Sequence, residues 1–212
     1  MKKPLLKICL FAIVVLIGMN IEAKTPKVKP VIVIDNFDLY PNDEALAKAW
    51  YHPGYHGGPM VRTLEANIKD SGKYSLKCSY TNVDEPTKYY SPVCRVDHWD
   101  ASGSDAVSFW CKPDGSGREF TIQFNIANEE GKNIHDLWET TYILAKGDTN
   151  ARTIILPYSD LRHNTKYADS PKVSPVFKPE SICEVAMYIG GRQNGYGTGA
   201  YYFDSIIAVK TK

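Results

Sequence analysis

"YYFDSIIAV", residues 201–209, decides the fold. Tyr, Phe, Ile and Val at this density suit a strand with one or both faces buried, yet Asp204 stands in its middle. "VIVIDNFDLY", residues 31–40, repeats the pattern near the other end of the chain, with Asp35 and Asp38 breaking the apolar run. An ionised carboxylate in a core is very costly unless it is paired, hydrogen-bonded or bound to a metal. Both stretches therefore predict strands whose acids have dedicated partners.

Between them the chain alternates short runs rich in Val, Ile, Tyr, Phe and Thr with clusters of Gly, Pro, Asn, Asp and Ser. The strand candidates are "KYSLKCSY", "YYSPVCRV", "AVSFWCK", "EFTIQFNIA", "ETTYILA", "ARTIILPY", "CEVAMYIGG" and "AYYFDSIIAV". "PDGSGR", "NEEGKN", "KGDTN" and "GGRQNGYGTG" separate them as turns. One helix is expected, in "NDEALAKAW" over residues 42–50, with Asn42 or Asp43 as its cap. Many strands and little helix predict an all-β domain, a two-sheet β-sandwich of jelly-roll type, over residues 31–212. No internal repeat or second domain is visible, and residues 24–30, "KTPKVKP", form a short polar linker ahead of it.

Residues 1–23 have the pattern of a secretory signal peptide: Lys2 and Lys3, an apolar stretch from Ile8 to Met19, and small Ala23 at the cleavage position. The apolar stretch is shorter than the roughly 20 residues that span a bilayer. The expected location is the periplasm or the exterior. Removal of the signal leaves 22 basic against 23 acidic residues. Such a balance provides no basic patch, so a nucleic-acid partner is not expected. Cys78, Cys94, Cys111 and Cys183 remain, which permits two disulfides or four buried thiols. No CxxC spacing supports zinc.

If the first and last strands lie side by side, Asp38 and Asp204 meet at one end. Two readings follow. The pair holds a Ca2+ ion, with carbonyls from the turn "DSGK", residues 70–73, or each acid accepts from backbone N–H groups.

"VIDNFDLY", "SGKYSLKCSY", "AVSFWCKPDGSGREFTIQF", "RTIILPYSDLR" and "YYFDSI" together resemble, in order and spacing, the galactose-binding-like jelly rolls of the family 11 carbohydrate-binding modules. The resemblance covers residues 31–209. It implies a sandwich with a structural Ca2+ and a cleft that holds a single β-glucan chain. Carried over by position, Asp38 and Asp204 match calcium-binding acids. Tyr167 and Tyr188 match binding tyrosines, Tyr89 or Tyr90 a third aromatic, and Trp50 or Tyr51 a fourth. In "NIHDLWET", residues 133–140, Asp136 matches an acid beside a tryptophan and is a candidate hydroxyl acceptor, while Trp138 is expected in the core. Asn164 stands where the family pattern has an arginine. Tyrosines suit this task because a phenol face covers the C–H face of a pyranose while its hydroxyl reaches a sugar oxygen.

No catalytic constellation accompanies these residues. Glu129 and Glu130 are neighbours on one turn, Gly115-Ser116-Gly117 lies between strands, and His52 and His56 are separated by Pro and Gly. His98, His135 and His163 read as loop residues. The implied function is non-catalytic recognition of a β-linked polysaccharide, with a partner glycoside hydrolase on another chain. The alternatives are an endoglucanase-type hydrolase and an envelope interaction protein without sugar binding.

Overall fold

The computed structural model describes residues 28–54, 57–167, 176–190 and 195–211. The expected signal peptide and most of the expected linker lie outside these residues. Two six-stranded antiparallel sheets face each other. The first contains β1 (Lys29–Asp35), β3 (Met60–Glu65), β4 (Ser75–Asn82), β6 (Ala106–Lys112), β9 (Arg152–Pro157) and β12 (Gly197–Lys210). Its order is β3-β4-β12-β6-β9, with β1 paired to β12. The second contains β2 (Trp50–Tyr51), β5 (Tyr90–Trp99), β7 (Phe120–Ala127), β8 (Asn133–Tyr142), β10 (Arg162–Asn164) and β11 (Ile182–Gly190), in the order β10-β8-β7-β11-β5-β2. The expected sandwich is thus present, and its first and last strands are neighbours.

Helix α1 (Asp43–Ala49) forms where expected, because the Asn42 side chain accepts from Ala45 N at 2.9 Å and Leu46 anchors the turn in the core. The strand expected over "ETTYILA" lies earlier, so that "NIHDLWET" belongs to β8 and is not a loop. β2, β3 and β10 were not among the expected strands. They are short or polar, and their pairing partners, not their own composition, make them strands. Among the described residues no helix is long and apolar enough to cross a membrane.

β7 shows how the sheets share one core. Phe120, Ile122, Phe124 and Ile126 point inward and are all but inaccessible to water, while Thr121, Gln123 and Asn125 alternate on the other face. Phe120 stacks on Tyr142 at 5.0 Å and meets Phe109, Tyr201 and Phe203 edge-on at 5.9, 6.2 and 5.6 Å. Aromatic rings therefore bridge the sheets. Among the described residues the four cysteines, Cys78, Cys94, Cys111 and Cys183, are free and buried. Burial pushes their thiols up, to about 12 for Cys111 and about 11 for Cys183.

β12 answers the question raised by Asp204. Tyr201 and Phe203 face the core, and so do Ile206 and Ala208. The inward set thus changes parity between 203 and 206, which requires one extra residue in the strand. The pairing with β6 shifts register between Asp204 and Ile207, and Ser205 takes the left-handed conformation with φ 51°. Asp204 sits at this bulge. Its Oδ2 accepts from Asp70 N at 2.9 Å and Ser71 N at 3.2 Å, and its Oδ1 from Ser205 N at 2.7 Å. Asp38 grips the other side of the same turn, accepting from Lys73 N at 2.5 Å and Tyr74 N at 3.2 Å. A Cβ on Gly72, whose φ is 61°, would come within 2.1 Å of Asp38 Oδ2, so only glycine lets the turn reach this acid. Asp35 is a separate hub, accepting from Phe37 N, Tyr40 Oη, Trp50 Nε1 and Arg95.

Candidate functional site: a tyrosine-edged groove on the second sheet

The outer face of the second sheet carries a groove of about 980 Å3. Its floor follows from strand alternation. β7 contributes Thr121, Gln123 and Asn125, β11 contributes Glu184 and Tyr188, and β5 contributes Tyr90, Pro92 and Cys94. β8 adds His135, Leu137 and Glu139, β10 adds Asn164, and β2 adds Tyr51. Tyr89, on the chain leading into β5, completes a row with Tyr90 and Tyr188. The ring centroids are 4.9 Å apart for the first pair and 5.8 Å for the second, both edge-to-face.

Two hydrogen-bonded rungs run across the floor. Gln123 Nε2 donates to Glu139 Oε2 at 2.5 Å, and Asn164 Nδ2 donates to Glu139 Oε1 at 3.1 Å. Two residues further along β7, Asn125 Nδ2 donates to Glu184 Oε1 at 2.8 Å, and Tyr51 Oη donates to Glu184 Oε2 at 3.3 Å. Tyr188 Oη donates to Gln123 Oε1 at 3.2 Å, which ties the tyrosine row to the first rung. Burial pushes the Glu184 carboxyl above its ordinary range, opposed by the bonds from Asn125 and Tyr51 and by nearby His135. Burial also raises Glu119, another lining residue, and the Tyr188 phenol.

The structure brings Tyr51, Tyr89, Tyr90 and Tyr188 together on one face, half-buried. Tyr167 ends a single turn, Thr165–Tyr167, that follows Asn164; its side chain lies outside the described residues, as does His56. Two expected binding residues are not in the groove. Trp50 is completely buried, packs 5.6 Å from Phe37 and donates from Nε1 to Asp35 Oδ2 at 2.7 Å. Its neighbour Tyr51 faces outward because successive strand residues alternate.

Asp136 is also turned inward, 2% exposed. It accepts from Trp138 Nε1 at 3.1 Å. His163 Nε2 lies 2.8 Å from Asp136 Oδ1, close enough for an ionic contact although the ring N–H is not aligned for a hydrogen bond. The His163 ring stacks on Trp138 at 4.5 Å, so Trp138 lies in the core as expected. His98, His135 and His163 all belong to strands and not to loops.

The residues that sequence reasoning passed over are Gln123, Asn125, Glu139 and Glu184. Their signal was available. "EFTIQFNIA" alternates strictly, and Glu184 is an acid inside an apolar run just as Asp204 is.

The Asp38 and Asp204 carboxylates are occupied by backbone N–H donors. The groups of the 70–73 turn that meet these carboxylates are N–H donors, whereas Ca2+ needs oxygens. Among the described residues no three His, Cys, Asp or Glu side chains converge on a metal position.

Residues 23–207 match the carbohydrate binding domain of family 11. The chain belongs to this family. Two solved family 11 modules share its fold. The Clostridium thermocellum family 11 module in complex with a β-1,3-1,4-mixed-linked tetrasaccharide has a TM-score of 0.63 at 17% identity, covering 88% of this chain and 98% of that one. The family 11 module of the cellulosomal cellulase Lic26A-Cel5E of Clostridium thermocellum has a TM-score of 0.61 at 17% identity, covering 88% and 95%. No curated protein matches the chain. The family 11 domain described here thus has a β-sandwich whose second sheet carries the tyrosine-edged groove.

Proposed function

We propose that the groove binds one chain of a β-linked glucan, of mixed linkage by analogy with the tetrasaccharide-bound family member, and that it does so without catalysis. The carrying observation is the row Tyr89, Tyr90 and Tyr188 standing at one end of a polar floor. Rings at that spacing cover the C–H faces of pyranose units, and the carboxylate and amide oxygens below take their hydroxyl protons. Hydrolysis would need two carboxyl groups flanking the bond, one of them delivering a proton. Glu139 and Glu184 are instead each held as acceptors by two side-chain donors. Export through residues 1–23 and action beside a glycoside hydrolase on another chain belong to the same proposal.

The test is native electrophoresis through gels containing mixed-linkage β-glucan, xyloglucan, mannan or no polysaccharide, with Tyr188→Ala alongside. The expected result is retardation by mixed-linkage glucan, weakened at least about tenfold in the variant, with no reducing sugar released. Migration unchanged in every gel would assign the fold to an envelope interaction without sugar binding, and released reducing sugar would restore the endoglucanase reading.

A further inference from the structure

Carboxylates outnumber cationic groups along the groove. Glu119, Glu139 and Glu184 line it, and among the described lining residues only Lys166 and His135 bear nitrogen that can be cationic. The hydrogen bonding sharpens this bias. Each amide of β7 spends its N–H on a carboxylate, Gln123 on Glu139 and Asn125 on Glu184. A carboxylate only accepts, which orients the amide with its nitrogen toward the acid and its oxygen away. For Gln123 that oxygen receives the Tyr188 hydroxyl. For Asn125 it receives nothing: Asn125 is 4% exposed, lines the groove, and its Oδ1 is a buried oxygen without a partner. An orphaned acceptor of this kind costs stability in the empty protein. At the same end His135 occupies a left-handed conformation, φ 53°, where β8 bulges against β7, so the backbone is strained beside Asn125 and Glu184.

We propose that these two amide–carboxylate rungs select the charge of the ligand. The groove takes an uncharged chain that offers hydroxyl donors, and it excludes chains bearing carboxylate or sulfate groups. Glu139 and Glu184 lie on the two strands flanking β7, so an extended chain crossing the floor passes over both. A uronate ring in place of a hexose sets like charges against each other in a partly desolvated cleft. The proposal rests on the groove being the glucan site.

The test compares mixed-linkage β-glucan with the same polymer carboxymethylated at low density, by calorimetry on the full domain. Wild type is expected to bind the neutral polymer at least about tenfold more tightly than the charged one. That ratio should shrink several-fold between low salt and about 0.5 M NaCl, since screening reaches charges in an open groove. In Glu139→Gln/Glu184→Gln the neutral polymer binds more weakly, but the ratio of the two affinities falls toward one. Equal wild-type affinity for both polymers at low salt overturns this inference and leaves the glucan reading intact. Binding to neither polymer overturns both. The salt series needs no variant, so the outcome does not depend on the double substitution folding.

Discussion

Replacing Asp204 by alanine tests whether its carboxylate holds the bulge of β12 to the 70–73 turn. Three N–H groups, those of Asp70, Ser71 and Ser205, lose their acceptor at once. Each stranded, part-buried donor costs about 1 kcal/mol after water has taken what it can reach, so the variant should lose about 3 kcal/mol. For a domain of this size that corresponds to a fall of roughly 6–12 °C in the unfolding midpoint. Asp204→Asn retains one carbonyl oxygen and should lose about half as much. Urea unfolding followed by tryptophan fluorescence gives the free energies, and calorimetry the midpoints. A variant within about 1 kcal/mol of wild type would show that water serves these N–H groups as well as Asp204 does, and the bulge would need another explanation. Wild type unfolded in EDTA supplies the second arm. With N–H donors filling the carboxylates the midpoint should not move, whereas a fall restored by added Ca2+ would show that a cation is the principal partner of Asp38 and Asp204.

The four cysteines should behave as buried thiols: dithiothreitol leaves the midpoint unchanged, and Ellman's reagent labels Cys78, Cys94, Cys111 and Cys183 only after unfolding. Any dithiothreitol-dependent loss of stability would indicate a bridge. Glu184 should give stability a defined slope with pH. Burial raises its carboxyl above the ordinary value of about 4.3, so the folded chain holds this proton more tightly than the unfolded one. Its contribution is therefore fully present below about pH 4.3 and is lost as pH rises through the raised folded value. In urea titrations from pH 4 to 7.5, Glu184→Gln should gain on wild type as pH rises, and parallel curves for the two proteins would refute the assignment.

The tyrosine row and the rungs differ in how far a sequence reaches them. Tyr89, Tyr90 and Tyr188 could be named because aromatic residues in strand-like runs are visible locally, and the order of motifs placed them. Which of two neighbours faces the groove was not visible. Trp50 and Asp136 were each one position from a residue that lines it, Tyr51 and His135 or Leu137, because a strand's two faces are told apart only when its partner is known. The rungs are harder still. Gln123 and Glu139 are 16 residues apart, and Asn125 and Glu184 are 59 apart. Nothing local says that β7 lies between β8 and β11.

The amino-acid sequence by itself determined the all-β class, the two-sheet sandwich and a short helix capped at Asn42 or Asp43, while the order of motifs shared with family 11 marked Asp38, Asp204 and most of the aromatic edge. The class, the sandwich and the helix rest on period-2 patterning and turn chemistry, which act over a few residues. Only the tertiary structure decided that Asp204 holds N–H groups at a bulge, that the cysteines stay apart, and that amides of one strand face carboxylates of two others. Those outcomes depend on register between strands distant in sequence, and register is set by how the whole core packs.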